Sequence, residues 1–380
     1  MVLTRLFNRF FESERAGGLT LVACTLISLL LANLLPGYLN FWGTEIGGHS
    51  LVHWINDGLM TIFFLLIGLE LEREIYGGEL SSARAAMLPV SAALGGILVP
   101  ALLYSAFNYG TDLQSGAGVP MATDIAFAIG ILSLLGKRVP ASLKIFITAF
   151  AIADDIGAIL VIAVFYTKSL AWTYLLASLG IFGFLCVLNR LKVYILLPYI
   201  IGGIAMWYCM LNSGVHASVT GVLLAFAIPF GNGDENSISY KLQHFLHVPV
   251  AFFILPVFAL ANTAIPISAG WQNALSQPQN IGIALGLVVG KPVGILLFSY
   301  LILKARLAVL SKGLNLKLIL GAGILGGIGF TMSIFICMLA FDNVQTINNA
   351  KIMILLSSFL AGICGYLYLQ RILKQHSLVK

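Results

Sequence analysis

Long apolar stretches separated by short polar connections repeat along the whole chain. A helix of about 20 residues, rising about 1.5 Å per residue, crosses the hydrocarbon core of a bilayer. Apolar stretches of this kind lie near 17–36, 51–69, 86–108, 119–136, 140–167, 170–188, 195–210, 213–230, 246–263, 281–303, 318–341 and 349–371. The pattern predicts an all-α polytopic membrane protein with about 12 transmembrane helices.

The composition excludes an ordinary soluble domain. Of the 380 residues, 59% are hydrophobic and 9% are charged, whereas soluble domains carry about 25% charged residues. No linker or change of composition divides the chain. We therefore expect residues 1–380 to form a single membrane-embedded domain in contact with membrane lipid.

The basic residues indicate an orientation in the membrane. If the N-terminus is inside, most of the 21 Lys and Arg residues fall in cytoplasmic connections, and the outer connections receive Lys168 and Lys351. Lys291 lies in the middle of the tenth apolar stretch. This bias predicts that both termini are cytoplasmic. Because the basic residues are spread between spans rather than gathered in one patch, we expect no nucleic-acid partner.

Two of the apolar stretches are interrupted at corresponding places. Glycine and proline residues break the fourth stretch before Thr123, and five glycines from Gly321 to Gly329 break the eleventh before Thr331. Each is the middle member of a three-span group, 86–167 or 281–371, and the charge pattern gives the two groups opposite orientations. The sequence thus predicts inverted repeats with broken fourth and eleventh helices, which point to a transporter's binding site. Close helix packing is the alternative explanation for the glycines.

Four charged side chains lie at membrane depth: Asp124, Asp154, Asp155 and Lys291. Each costs from about 2.5 to more than 10 kcal/mol if unpaired on an isolated helix, so a functional role with a partner is the default interpretation. A structural ion pair would explain one Asp and the Lys, but not the two further acids. Neighbouring residues on a helix point about 100° apart, so one acid of the adjacent pair can meet Lys291 while the other faces a cavity.

These residues suggest exchange of a proton for a small cation. An ionised carboxylate offers hard oxygen ligands to a cation, and a protonated one does not. Two alternatives are a passive cation channel and an intramembrane aspartyl protease. The protease needs two carboxylates that share one proton, for which Asp124 and Asp154 are the candidates. The buried Lys291 argues against it, since a nearby cation would ionise both acids.

Two stretches resemble cofactor or nucleotide motifs but lack the sequence context that such motifs require. The stretch GAGILG at 321–326 has no preceding strand and no acidic residue about 20 positions on, and GLVVGKP lacks the spacing of a phosphate loop. The five cysteines stand singly in apolar segments. We therefore expect no cofactor, and a transporter rather than an enzyme.

Several long motifs resemble one transport family. They are NDGLMTIFFLLIGLELEREIYGG (56–78), ATDIAFAIGILSLLGKRVP (122–140), FAIADDIGAILVIAVFYT (150–167), SGVHAS (213–218), GKPVGI (290–295) and GGIGFTMSIFI (326–336). From about residue 5 to 370 the chain is similar to the NhaA-type sodium/proton antiporters of bacterial inner membranes. The resemblance implies electrogenic export of sodium or lithium in exchange for protons, activated at alkaline pH. Inverted repeats with interrupted helices are themselves a feature of this family.

The resemblance also assigns roles at membrane depth. Asp154 and Asp155 match the acids that bind the cation and the protons, and the second acid is the firmer ligand of the transported sodium. Thr123 and Asp124 match residues that shape the site where the broken helices cross. Lys291 matches a lysine that pairs with the first acid or carries a proton itself, and the sequence leaves both open.

Further matched residues concern regulation. Asp57 matches an acid that supports transport less directly, and Glu70, Arg73 and Glu74 match members of a pH-responsive cluster at the cytoplasmic funnel. A solvated charged face is the alternative explanation for that cluster.

Three features depart from the family or leave alternatives open. His244 and His247 are three residues apart on one helix face, where metal binding, pH sensing and simple polar capping are all compatible with the spacing. Gln243 replaces an expected funnel glutamate, and an amide cannot titrate, so the pH profile is expected to be shifted or flattened.

The connection at 35–51 is short for the outer hairpin through which family members dimerise, which leaves homodimer and monomer as alternatives.

Overall fold

The computed structural model describes residues 2–167, 169–267 and 271–378 and is almost entirely helical within them. The helices in chain order are α1 (Val2–Leu34), α2 (Tyr38–Trp42), α3 (Leu51–His53), α4 (Met60–Gly77), α5 (Ala83–Asn108), α6 (Ile125–Leu134), α7 (Ala141–Phe165), α8 (Trp172–Arg190), α9 (Leu197–Leu211), α10 (Val219–Ala227), α11 (Ile238–Pro249), α12 (Leu255–Asn262), α13 (Trp271–Leu275), α14 (Pro278–Leu285), α15 (Lys291–Lys304), α16 (Leu316–Gly326), α17 (Phe330–Ala340) and α18 (Val344–Leu378).

Shorter elements join these helices. Three π-helical turns, Trp54–Leu59, Val250–Ile254 and Gly286–Gly290, lie inside long spans, and 3₁₀ turns occupy Glu79–Ser81, Gln114–Met121 and Gly136–Arg138. Strands β1 (Glu45–Ile46) and β2 (His49–Ser50) form a small antiparallel hairpin. Its turn residues Gly47 and Gly48 have φ values of 62° and 86°, the left-handed conformation that a tight two-residue hairpin requires.

The membrane character predicted from the sequence is confirmed. Within the described residues, nine helical segments are long and apolar enough to cross a bilayer, and α16 with α17, bent by 50°, makes a tenth. One predicted span, 213–230, has a shorter helix than expected. Its helix α10 has 9 residues, which is only about 13 Å, whereas the 15 residues of α9 agree with the predicted span 195–210. The chain before α10 turns at Gly214, whose φ is 87°.

The two lysines assigned to outer connections fall differently in the structure. Lys168 lies outside the described residues. Lys351 is buried in α18 rather than exposed in a connection. The assignment of Lys351 to an outer connection from the pattern of charged residues was therefore wrong.

The chain divides into two compact units. Unit 1 comprises Met1–Asn33, Ser82–Ala158 and Ile265–Lys380, and unit 2 comprises Leu34–Ser81 and Ile159–Ala264. Both predicted repeats fall in unit 1, apart from the end of the first at 159–167.

Unit 1 contains close backbone contacts made possible by glycine. A Cβ added at Gly95 on α5 would collide with the carbonyl of Gly294 on α15, and one added at Gly294 would collide with the carbonyl of Gly95. Gly323 on α16 faces the Cα of Pro292 in the same way, at 3.1 Å from an added Cβ. Small residues let helices approach this closely in a membrane. The glycines of the eleventh span therefore serve packing as well as interrupting the helix.

Unit 2 is held by its own core. Its buried side chains come from α8, α9, α10 and the residue after α10; they are Leu185, Tyr199, Met206, Leu224, Ala227 and Ile228. Helix α10 also lies against α4, where a Cβ at Gly221 would meet the carbonyl of Thr61. The short α10 is thus fixed by packing rather than by its length.

Replacing Gly95 by Val should destabilise unit 1, because the added methyl groups would force α5 and α15 apart. Overpacking of this kind costs about 1–3 kcal/mol, and we expect a lower thermal unfolding midpoint for the purified protein in detergent. Gly180→Val is the matched control, since an added Cβ there meets nothing within 4 Å. Equal midpoints for the two variants would contradict this account of the contact.

Candidate ion-binding site

The two interrupted segments touch each other in unit 1. The 3₁₀ turn Gln114–Met121 leads into extended backbone before α6, and α16 stops at Gly326 before α17 starts at Phe330. The N–H of Asp124 donates to the carbonyl of Ile328 at 2.7 Å, and the Thr123 hydroxyl donates to the carbonyl of Gly326 at 3.0 Å. Each break thus satisfies backbone groups of the other, which is a requirement at membrane depth.

Asp124 caps the beginnings of two helices. Its Oδ1 accepts from the N–H of Phe127 in α6 at 3.0 Å, and its Oδ2 accepts from the N–H of Thr331 in α17 at 3.2 Å. The Thr331 hydroxyl donates to the same Oδ2 at 2.5 Å. Helix N-termini carry partial positive charge and unpaired N–H groups, and a carboxylate stabilises both. A single acid therefore compensates two helix ends that meet inside the protein.

Lys291 supplies the opposite charge. Its Nζ lies 2.6 Å from Asp154 Oδ2 and donates to the Thr123 hydroxyl at 2.6 Å, and none of its side chain is exposed. Since that hydroxyl in turn donates to the carbonyl of Gly326, the ammonium is linked to the C-terminal end of α16. Lys291 follows the π-helical turn Gly286–Gly290, a distortion that is frequent at functional sites.

The adjacent acids of α7 are both buried. Asp154 forms the ion pair with Lys291 through Oδ2, while its Oδ1 has no hydrogen-bond partner among the described residues. Asp155 is 1% exposed, and its charge also acts on Lys291. Two buried acids, Asp154 and Asp155, thus act on the Lys291 ammonium, and a third, Asp124, is buried next to Thr123. This excess of carboxylates suits the uptake of a cation or of protons.

The structure also places an aromatic ring at the site that the sequence reasoning did not identify. Phe150 lies one turn before Asp154, and the Lys291 Nζ sits over its ring at 5.9 Å from the centroid. In the sequence Phe150 looks like an ordinary apolar core residue. Its spacing of four residues from Asp154 is the one signal that could have identified it.

Asp57 belongs to unit 2. It lies in the π-helical turn Trp54–Leu59, and its Oδ2 is 3.1 Å from the Nδ1 of His53. The Trp207 indole N–H donates to its main-chain carbonyl at 2.8 Å. The turn and these partners hold Asp57 in place within that unit.

The predicted pH-responsive residues also lie in unit 2, where an unpredicted tyrosine joins two of them. The Arg73 guanidinium lies 5.1 Å from the ring centroid of Tyr240, and that ring stacks on His244 at 6.2 Å. Glu74 accepts the N–H of Glu79 at 2.9 Å.

The remaining two residues of that predicted group, Glu70 and His247, each interact with other residues of the protein. Across the described part of the chain, no cluster of three or more His, Cys, Asp or Glu side chains has a geometry that could hold a metal ion. The metal-binding alternative for His244 and His247 therefore gains no third ligand there.

Comparison with known proteins identifies the family. The family model described as Na+/H+ antiporter 1 matches residues 8–369. The chain belongs to this family of Na+/H+ antiporters. It is 63% identical over 376 residues to the Na(+)/H(+) antiporter NhaA of Flavobacterium psychrophilum, with 98% of each chain covered. It is 56% identical to the NhaA of Cytophaga hutchinsonii, covering 99% of this chain and 97% of the relative. The resemblance predicted from the motifs is confirmed.

A solved structure supports the fold. The sodium proton antiporter MjNhaP1 from Methanocaldococcus jannaschii matches with a TM-score of 0.54 at 13% identity, covering 98% of this chain and 99% of that one. At this low identity the similarity concerns the architecture alone. The NhaA-type chain thus shares its overall architecture with this solved antiporter.

Replacing Asp124 by Ala should destabilise this NhaA-type protein more than replacing it by Asn, because Ala removes the acceptors for both helix starts. Each lost cap costs about 1 kcal/mol, so we expect the Ala variant to lose about 2 kcal/mol. Asn keeps one acceptor oxygen and loses the charge. Thermal unfolding in detergent measures both variants, and equal stability of Ala and wild type would refute the capping role.

Proposed function

We propose that the protein is an electrogenic secondary antiporter that exports sodium or lithium in exchange for protons. The observation that carries this proposal is the buried Asp154–Lys291 ion pair, beside a second acid and at the contact of two interrupted helices. Family membership supports the same activity. On this proposal the chain is a transporter and not an enzyme, and it uses no cofactor.

The transported sodium would be bound by carboxylate oxygens. Sodium is a hard cation, and ionised carboxylates are hard oxygen ligands. Asp154 Oδ1 accepts no hydrogen bond among the described residues, so it is available as a ligand without breaking an existing bond. Asp155 is the second acid and, on the family pattern, the firmer ligand. The Thr123 hydroxyl lies next to this pair and helps to shape the site.

Coupling follows from competition for these acids. A proton on Asp155 removes its capacity to bind sodium, and the Lys291 ammonium occupies Asp154 in the absence of sodium. Sodium binding therefore requires a proton to leave Asp155 and the ammonium charge to leave Asp154. The second proton is the one that Lys291 loses as it becomes neutral or, if Asp154 is protonated beside a neutral lysine before sodium binds, the one that leaves Asp154.

Exchange of two protons for one sodium moves net charge. The site loses two positive charges and gains one, so each cycle carries one charge across the membrane. The membrane potential contributes about 2.3 kcal/mol per charge per 100 mV to this movement. It can thus drive sodium export against a gradient.

Charged side chains at the helix ends support repeated cycles. Asp124 and Lys291 compensate partial charges of opposite sign where the two breaks meet. We infer that Thr331 and Asp124 keep this arrangement stable while the proton and sodium occupy Asp154 and Asp155 in turn.

The cellular setting is part of the proposal. We place the protein in the bacterial inner membrane as a single membrane-embedded domain, with about 12 spans, inverted repeats at 86–167 and 281–371, and both termini in the cytoplasm. A homodimer is compatible with the hairpin Glu45–Ser50. On this proposal, the exchange of sodium for protons serves sodium and pH homeostasis.

We assign regulation by alkaline pH to the predicted pH-responsive residues, which lie in unit 2. The Arg73–Tyr240–His244 contacts join two helices, so these three side chains link the packing of α4 to that of α11. Glu70, Glu74 and His247 belong to the same group, and Asp57 supports transport through its pair with His53.

Two other functions are less well supported. A protease would need two carboxylates sharing one proton, but Asp124 is occupied by Thr331 and Phe127 while Asp154 pairs with Lys291. A passive channel would conduct cations without a counterflow of protons, and the buried competing charges favour exchange instead.

Everted membrane vesicles test the exchange. Once respiration has acidified their lumen, added sodium or lithium should release part of the proton gradient, and potassium should have little effect. No response to sodium at any neutral or alkaline pH would exclude the antiport. Dissipating the membrane potential with valinomycin and potassium should slow the response, and an unchanged rate would exclude electrogenic exchange.

Replacing Asp155 by Asn should reduce the sodium response to background, because the amide cannot cycle between a proton and sodium. The same vesicle assay measures it. Asp112→Asn is the matched control, because that acid is exposed in a connection and should retain full activity. Full activity of the Asp155 variant would refute the assignment of the site.

A further inference from the structure

Phe150 contacts the Lys291 ammonium from a third direction. The ammonium is bound by Asp154 Oδ2 and the Thr123 hydroxyl, each at 2.6 Å, and lies over the Phe150 ring at 5.9 Å from its centroid. A cation within about 6 Å of an aromatic face is attracted by the ring's negative quadrupole. This attraction is strongest where water is excluded, and both side chains are buried.

The surroundings fix the Phe150 ring in this position. Phe146, one turn earlier on α7, stacks on it with a centroid distance of 6.2 Å and an interplanar angle of 15°. Gly96 and Gly326 approach its edge, where an added Cβ would lie 3.5 Å from ring carbons. The ring is therefore confined by three helices, and its contact with the ammonium does not depend on a freely rotating side chain.

Phe150 and Asp154 act on Lys291 from the same helix. They are four residues apart on α7 and so share one face. The proposed exchange requires the ammonium to leave Asp154 when sodium binds, either by losing its proton or by moving away. A neutral amine lacks the positive charge that the ring's quadrupole attracts, and a displaced ammonium is out of its range. In both cases, sodium binding breaks the contact between the Lys291 ammonium and the Phe150 ring.

We propose that Phe150 is a positioning residue that holds the Lys291 ammonium on Asp154 and thereby lowers the apparent affinity of the site for sodium. This inference rests on the proposed sodium/proton exchange at the same site. The ring sets how readily sodium replaces the ammonium, so it tunes the competition without itself binding the transported ion.

Stepwise fluorination of the Phe150 ring tests the proposal on the purified full-length protein. Replacing Phe150 with mono-, di- and trifluorophenylalanine withdraws electron density from the ring face and changes its shape little. We expect the dissociation constant for sodium, measured by titration calorimetry at one fixed pH, to fall at each step, by about threefold overall. The apparent KM for sodium in reconstituted vesicles should fall in the same order.

Two further variants make the result specific. The same fluorination at Phe146 should leave sodium binding unchanged, because Phe146 stacks on Phe150 but has no contact with Lys291 among the described residues. Phe150→Leu removes the quadrupole altogether and should bind sodium at least as tightly as the trifluoro protein.

A flat or opposite trend across the Phe150 series, with normal sodium binding by the wild type, would overturn this role and leave the antiport intact. Equal shifts in the Phe146 series would also overturn it, since packing alone would then explain the effect. A wild-type protein that binds no sodium would instead overturn the proposed exchange, and the role of Phe150 with it.

Discussion

The backbone of two helices is broken inside the protein, and the structure of unit 1 depends on compensating the ends so created. Asp124 accepts hydrogen bonds from the starts of α6 and α17, and the Lys291 ammonium reaches the end of α16 through the Thr123 hydroxyl. Without these two side chains, partial charges of the helix ends would face each other in a medium of low dielectric constant. The buried charges therefore stabilise the broken helices and also form the proposed ion site.

The same burial gives the site its chemistry. Asp154 and Asp155 are buried beside one ammonium, so a proton, the lysine and a cation compete directly. Neutralising one charge changes the interaction energy of all the others, because little solvent screens them. Phe150 adds a weak, directional contact to this set, at an energy scale suited to adjusting the exchange.

Close packing and function are connected through glycine. Gly95 and Gly294 have no side chains, so α5 and α15 approach until the carbonyl of each glycine lies where a Cβ of the other would be. Helix α15 begins at Lys291. In unit 2, π-helical distortion places Asp57 opposite His53, and the Tyr240 ring joins Arg73 to His244. Both units thus use irregular or closely packed helices to place charged side chains.

The sequence alone determined the class of protein and its family. Apolar stretches of membrane length and long motifs are local features, so they can be read without coordinates, and both expectations were confirmed. It also picked out Asp124, Asp154 and Lys291, because a charge in an apolar run stands out wherever it is placed. Only the tertiary structure decided which atoms meet: that the lysine bonds Asp154 Oδ2 and the Thr123 hydroxyl, that one carboxylate caps two helices, and that Phe150 lies under the ammonium. The short length of α10 was likewise visible only in the structure, where the chain turns at Gly214 before this helix begins. These contacts join residues up to 207 positions apart in the chain, and a periodic pattern of apolar residues gives the face of a helix but not its partner across the bundle.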